Sequence, residues 1–236
     1  MPLEYFYDEN KYDYEICIDE VGRGCLFGDV VVSSVVLPKP INPDFNIKNI
    51  KDSKKFSNKT KLYNECDNII QHVYYHHTSC IGPNVIDDIN ILQAVMNGMH
   101  KCSQRCIEYI LANDAKTSIE RILLVIDGNY FQSFEYNNNI VDHVTVKQGD
   151  GKYVGIAAAS ILAKTQRDKD IHQLCEEYPI LNERYKLAKN VGYGTKDHMS
   201  GIDTYGITQW HRRSFGRCKI APINEIPITI KSDCMS

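Results

Sequence analysis

No stretch of this 236-residue chain stays apolar for the ~18 residues that a membrane-spanning helix needs, so a helical membrane protein is excluded. An excess of one charge is lacking as well. The 27 Lys and Arg against 30 Asp and Glu leave a formal charge of −3, and no global field draws the chain to polyanions. The nine cysteines lack the spacing of a small disulfide framework. The opening MPLEYFYDENKYDYE is polar and acidic, unlike a secretory signal. These features point to a reducing, cytoplasmic compartment, with free and mostly buried thiols and no membrane partner. Internal repeats, low-complexity tracts and linkers are missing too. Residues 1–236 therefore read as one domain, a length that a single α/β unit can fill.

What is present is local. Arg184, Lys186, Lys189, Lys196, Arg212, Arg213, Arg217 and Lys219 stand against only Asp197 and Asp203 over the same stretch. Lys51, Lys54, Lys55, Lys59 and Lys61 form a second basic group. Charge alone leaves open whether these patches bind phosphates or are solvated faces.

Tyr14 to Asp19 and Val30 to Leu37 are rich in β-branched residues and read as strands joined by the turn GRGCLFG. A polar segment containing Pro38, Pro40 and Pro43 leads into a helix from about Asn58, and His72 to Ile81 reads as a third strand. Asn84 is a suitable N-cap for a helix with Ile86, Ile89, Leu92, Val95, Met96 and Met99 at helical spacing. Ile122 to Ile126 is a buried strand that ends in Asp127-Gly128, and Val141 to Lys147 is another strand. Ile156 to Lys164 is a helix buried on most sides. The order suits a mixed sheet with helices packed on it.

Acids stand where these strands end: Asp19 and Glu20 on the first, Asp127 on the fourth, and Asp150 in QGDGK before the buried helix. Each alone is an ordinary strand end or cap. Together at one sheet edge they would repel one another unless a hard cation such as Mg²⁺ or Mn²⁺ lay between them. Such a set suits two-metal phosphodiester hydrolysis, with ions ~3.5–4 Å apart and no side-chain nucleophile. Strand neighbours point to opposite faces, so Asp19 and Glu20 share a site only if the strand stops or twists there. Gly22 and Gly24 make that break possible.

The linear motifs narrow the choice. DEVGRG from Asp19 to Gly24, DSKKFS from Asp52 to Ser57 and IDDINILQA from Ile86 to Ala94 are followed by IDG from Ile126 to Gly128. Then come GD and IAAASILAKTQRD between Gly149 and Asp168, GYGTKDH from Gly192 to His198, and HRRSF from His211 to Phe215. In this order, over about residues 16 to 216, the set resembles the ribonucleases HII, the type 2 ribonucleases H. The resemblance implies a ribonuclease H-like α/β fold: a five-stranded mixed sheet, three antiparallel strands then two parallel, flanked by helices. Its core would span about 14–182, with a C-terminal helical portion over about 183–219 and a tail at 220–236.

It also implies that Asp19, Glu20, Asp127 and Asp150 are catalytic and hold two divalent ions, Mg²⁺ or Mn²⁺. Gly22, Arg23 and Gly24 would read a ribose 2′-hydroxyl, the group that tells RNA from DNA. Tyr193 would pack on the next sugar, and Lys54 and Lys55 would contact phosphates. The implied substrates are RNA–DNA hybrids and DNA duplexes containing ribonucleotides. They would be cut 5′ to the ribonucleotide by a monomer that needs no obligate protein partner. The implied work is ribonucleotide removal from DNA and RNA primer removal.

His211, Arg212 and Ser214 lie in a matching motif without an assigned role. Cys25, Phe27 and Asp29 depart from the family pattern after GRG and bear on the floor of the substrate groove. The long stretch 129–140 either covers the site or is a surface loop.

Two rival readings remain: an RNA–DNA binding module with a dead site, and a nuclease of the same fold that cuts only long hybrids. The intact acids speak against the first, and Gly22-Arg23-Gly24 with Tyr193 against the second. A zinc site is disfavoured. His72 and His76 on one strand would lie ~13 Å apart, and Cys102 and Cys106, at helical i and i+4, lack two further ligands.

Overall fold

The computed structural model describes residues 2–50, 53, 56 and 58–228. Strands β1 (Tyr14–Val21), β2 (Val30–Val36), β3 (Tyr75–Ile81), β4 (Ile122–Asp127) and β7 (Asp142–Val146) form one sheet in the order β3-β2-β1-β4-β7. β1, β2 and β3 pair antiparallel, whereas β4 and β7 add in parallel. The five-stranded mixed sheet expected from the sequence is thus present. Every residue of β2 is buried, as a strand covered on both faces requires.

Strand alternation sorts the two faces. Val32 of β2 meets helix α2 (Pro83–Asn113), where a Cβ on Gly98 would stand 2.6 Å from it. Cys17, Val31 and Val35 take the opposite face, packed against α1 (Lys59–His72) and α3 (Val154–Glu177). Asp19 and Val21 follow Cys17 in parity, so they too face α3.

Three local expectations need correction. His72 closes α1 instead of opening β3, because Val73 ends the helix and extended pairing begins only at Tyr75. His72 and His76 therefore do not share a strand. Asn84 is not the N-cap of α2: that place belongs to Gly82, with Pro83 in the first turn, where a missing N–H costs nothing. A capping Asn does occur further on. Asn90 leaves the helical region at φ 66°, kinks α2, and accepts the N–H groups of Leu92 and Gln93 at 2.9 and 3.1 Å. The kink breaks the apolar period, which leaves Ile89 exposed while Ile86 and Val95 are buried.

The stretch 129–140 folds back as a short hairpin, β5 (Glu135–Tyr136) with β6 (Asn139–Ile140). Asn137 and Asn138, both at positive φ, make its turn. Phe131 and Phe134 are buried and pack around His100 of α2, and the His100 ring bonds the Gln132 carbonyl at 2.8 Å. These contacts anchor the insertion to α2.

The chain divides into two compact units, one of residues up to Arg23 and Asp29–Asp170, the other of Gly24–Gly28 and residues from Ile171 on. The second unit contains α4 (Pro179–Tyr185), α5 (Leu187–Asn190) and α6 (Lys196–Tyr205). Its core is Leu26, Phe27, Ile171, Leu181, Tyr185, Leu187 and Ile202. Among the described residues no helix is long and apolar enough to cross a membrane.

Candidate active site

β1 and β4 run parallel, with Ile18 beside Ile126 as the last pair in register. The next position on each strand is an acid, Asp19 on one and Asp127 on the other, at adjoining carboxyl ends of the sheet. In open α/β sheets that edge is where ligands bind. Asp19 is only 5% exposed, and its pKa is raised well above the usual range, first by burial, then by Glu20 and Asp127. Glu20 is raised too, chiefly by burial, with Asp127 adding to the rise and Arg23 opposing it. Three of the four expected carboxylates thus lie within electrostatic reach of one another.

β1 neither stops nor breaks register at its two acids: Asp19, Glu20 and Val21 pair with Ser33, Val32 and Val31, and the turn comes only after them. Gly22 turns the chain at φ +94°, and the Glu20 N–H donates to Asp19 Oδ1 at 2.7 Å. Arg23 then reaches back, its guanidinium 3.1 Å from Glu20 Oε1. Gly22 has a second reason to be glycine. A Cβ there would stand 2.7 Å from Nε of Arg167, a buried side chain that also donates to the Asp29 carbonyl. Gly24 is open, with nothing near its missing Cβ.

Asp150 lies on a 3₁₀ turn, Gly149–Gly151, entered through Gln148 at φ 54°. The Gly149 N–H donates to Asp127 Oδ1 at 2.7 Å, so the turn carrying Asp150 is tied to the end of β4. Ser160 of α3, buried, bonds Asp19 from the helix side and is itself 2.9 Å from the buried Ser53 hydroxyl. Lys54 and Lys55 lie outside the described residues.

Tyr193 belongs to the second unit and is 42% exposed. Its loop is strained: Val191 and Gly192 sit at φ 43° and 88°, and a β-branched residue there costs ~1–3 kcal/mol. Asn190 secures the turn, accepting from Gly192 N–H at 2.9 Å and donating to the Tyr185 carbonyl at 2.7 Å. The Leu26 N–H donates to Gly192 O at 2.8 Å, which brings the segment after Gly24 against the Tyr193 loop.

Several residues differ from their sequence-based places. Arg212 is no part of a solvated patch. It is fully buried, with Nε donating to Gly28 O at 2.9 Å. Arg217 and Arg213 pair with Asp203 and Glu225. Cys25 and Phe27 are fully buried, and Phe27 packs in the core of the second unit. Ser160, Arg167 and His198 were given no role from sequence, although all three lie inside matched motifs.

The donor set fits a hard divalent cation by chemistry. Buried carboxylates that raise one another's pKa gain most from a cation between them. Among the described residues no three His, Cys, Asp or Glu side chains stand in a ligating arrangement.

A family model described as Ribonuclease HII matches residues 16–218. A ribonuclease HII of Cytophaga hutchinsonii is 38% identical over 215 residues, covering 91% of this chain and 94% of that protein. The fold is similar to the ribonuclease H2 of Pyrococcus horikoshii OT3, at TM-score 0.59 and 18% identity over 87% of this chain and 95% of that one. It is also similar to Bst-RNase HIII in complex with Mn²⁺, at TM-score 0.57 and 17% identity over 89% and 70%. The acids at the ends of β1 and β4 thus stand in a chain that belongs to the ribonuclease HII family, hydrolases of the RNA strand in RNA–DNA hybrids.

Proposed function

We propose that the protein cuts on the 5′ side of a ribonucleotide, including a single ribonucleotide embedded in duplex DNA, and leaves 3′-hydroxyl and 5′-phosphate ends. The observation that carries this reading is the crowding of Asp19, Glu20 and Asp127 near the carboxyl ends of β1 and β4, with Asp19 and Glu20 three and two residues before the Gly22 turn. With Asp150 they would hold two divalent cations, Mg²⁺ or Mn²⁺. Bound there, such ions lower the pKa of water and stabilise the oxygens of an in-line phosphoryl displacement.

The chain's own residues do the rest. Ser160 and the Glu20 N–H orient Asp19, and Gly149 N–H orients Asp127. Gly22 and Gly24 let backbone approach a ribose closely, with Arg23 between them, and the 2′-hydroxyl supplies the contrast with DNA. The Tyr193 ring, placed on the following sugar, favours a deoxyribose there because a second 2′-hydroxyl would crowd it. Lys54 and Lys55 contact phosphates. The oxygen of water attacks phosphorus, the bond to the upstream 3′-oxygen breaks, and that oxygen leaves with a proton. No side chain is covalently modified. Phosphate contacts supply much of the affinity, so binding weakens steeply with salt.

The test is a DNA duplex carrying one ribonucleotide, incubated with Mg²⁺, Mn²⁺ or EDTA beside an all-RNA strand in a hybrid. Cutting of both substrates with metal and of neither with EDTA is expected. Cutting of the long hybrid alone removes the roles given to Gly22, Arg23, Gly24 and Tyr193. Binding without any cutting returns the binding-module reading.

A further inference from the structure

His198 and His211 come from the motifs GYGTKDH and HRRSF, and neither has a part in the proposed cleavage. Both are buried, at 0% and 1% exposure, and their Nε2 atoms face each other at 3.2 Å. The outer bonds leave no freedom in where the protons sit. Thr208 N–H can only donate, so His211 Nδ1 accepts from it at 2.9 Å, with the Thr208 hydroxyl at the same distance. The Tyr193 carbonyl can only accept, so His198 Nδ1, at 3.0 Å, carries a proton. In two neutral rings the remaining proton is then on His211 Nε2 and points at the bare Nε2 of His198. Every ring nitrogen is used, and the chain of bonds ends on the Tyr193 main chain. Thr195 N–H also donates to that carbonyl, at 2.8 Å.

The other end of the pair reaches the segment after Gly24. The Phe27 ring meets His211 edge-on, with centroids 4.9 Å apart. Phe27 also pairs with His211 through the backbone, flanked by Gly28 N–H to Trp210 O at 2.8 Å and Arg212 N–H to Leu26 O at 2.9 Å. Tyr185 closes the His211 ring from another side, also at 4.9 Å. The imidazole pair is thus the shared support of two segments: residues 26–28, which follow Gly24, and the strained loop at residues 191–193.

We infer that His198 and His211 are positioning residues that hold Gly24 and Tyr193 in fixed relation and so set the preference for a ribonucleotide followed by a deoxyribonucleotide. The inference rests on the proposed reading of Gly24 and Tyr193. The pair itself touches no substrate. Its effect is on the ratio of kcat/KM for the single-ribonucleotide duplex to that for the long hybrid.

The experiment measures that ratio in the wild type, His198→Phe, His198→Asn and Tyr193→Ala, with thermal unfolding of each. His198→Phe keeps the packing volume and removes the donor to Tyr193 O. His198→Asn keeps an N–H near the Nδ1 position. A tenfold or larger fall in the ratio is expected for His198→Phe, with at least partial recovery in His198→Asn. Equal loss on both substrates in a folded His198→Phe overturns the inference, because a merely structural role would move them together. If Tyr193→Ala leaves the ratio unchanged, the reading of Tyr193 fails first and takes the inference with it. A fall with Tyr193→Ala but none with folded His198→Phe removes the inference alone.

Should His198→Phe not fold, nitrogen-15 NMR of the wild-type imidazoles at pH 7 decides. The Nδ1–H tautomer at His198 and the Nε2–H tautomer at His211 are expected. A charged ring or the opposite tautomer at either position overturns the relay.

Discussion

Asp19 and His211 are both nearly fully buried and both ionisable, yet the fold treats them in opposite ways. Around Asp19 the chain gathers more of the same charge, Glu20 and Asp127, together with hydrogen bonds from Ser160 and the Glu20 backbone. Around His211 it gathers neutral groups that use up both ring nitrogens. Burial lifts the carboxylate pKa and pushes that of His211 down to about 3. One region therefore holds charge that calls for a cation, and the other has given up charge for a closed network. The first arrangement suits a ligand site and the second a rigid support.

The sharpest way to break this contrast is Asp127→Asn. The amide oxygen can still accept the Gly149 N–H, so the turn bearing Asp150 keeps its anchor while one negative charge goes. Cleavage should fall by about a thousandfold or more, as loss of a preorganised charge does. Thermal stability in EDTA should hold or rise, because repulsion with Asp19 and Glu20 is relieved. A clear drop in stability would mean that the acids are structural after all.

Gly22→Ala tests the turn between the strand and the segment proposed to read the ribose. It places a side chain at φ +94° and drives it into Arg167, whose guanidinium cannot move cheaply because it is buried. Destabilisation of about 2–4 kcal/mol is expected in urea unfolding, from backbone strain and overpacking together. A loss under about 0.5 kcal/mol, within the range of surface substitutions, would show that Arg167 yields and that Gly22 is glycine for the sake of substrate alone.

The contrast also marks what the sequence could reveal. Asp19, Glu20 and Asp127 were legible because each ends a β-branched run, and strand ends are set by local periodicity. The five strands of the sheet followed from the same signal, and the ordered motifs joined them to a family. The partners of His198 and Arg167 were not legible. Whether a charged or polar residue is buried depends on groups far along the chain: Arg167 on Asp29, Arg212 on Gly28, His198 on His211. A Lys- and Arg-rich stretch looks solvated until those partners are known. Asn84 failed as a cap for a related reason. Asn suits an N-cap wherever a helix starts, and the side chain that does the capping is Asn90, at a kink no periodicity announces.

The smallest effect sharpens the closed region by its pH dependence. The folded His211 titrates at about 3 against an ordinary value of 6.5, so between these values the unfolded chain binds the extra proton. Stability from this group is therefore complete above about pH 6.5 and is lost as pH falls toward 3. The slope is at most about 1.4 kcal/mol per pH unit for one proton. The groups facing His211 are His198, Thr208, Phe27 and Tyr185, and none is a carboxylate that could hold the proton in its place. Comparing the wild type with His211→Phe in EDTA isolates the effect, since the acids of the other unit titrate alike in both. At pH 7.5 the variant should be less stable, because Thr208 N–H and His198 Nε2 lose their partner. The gap should close as pH falls below 6.5, because only the wild type has that histidine to protonate. Parallel stability curves from pH 7.5 to 4.5 would mean that the folded His211 takes up its proton as readily as the unfolded chain does, and a protonated His211 could not accept from Thr208.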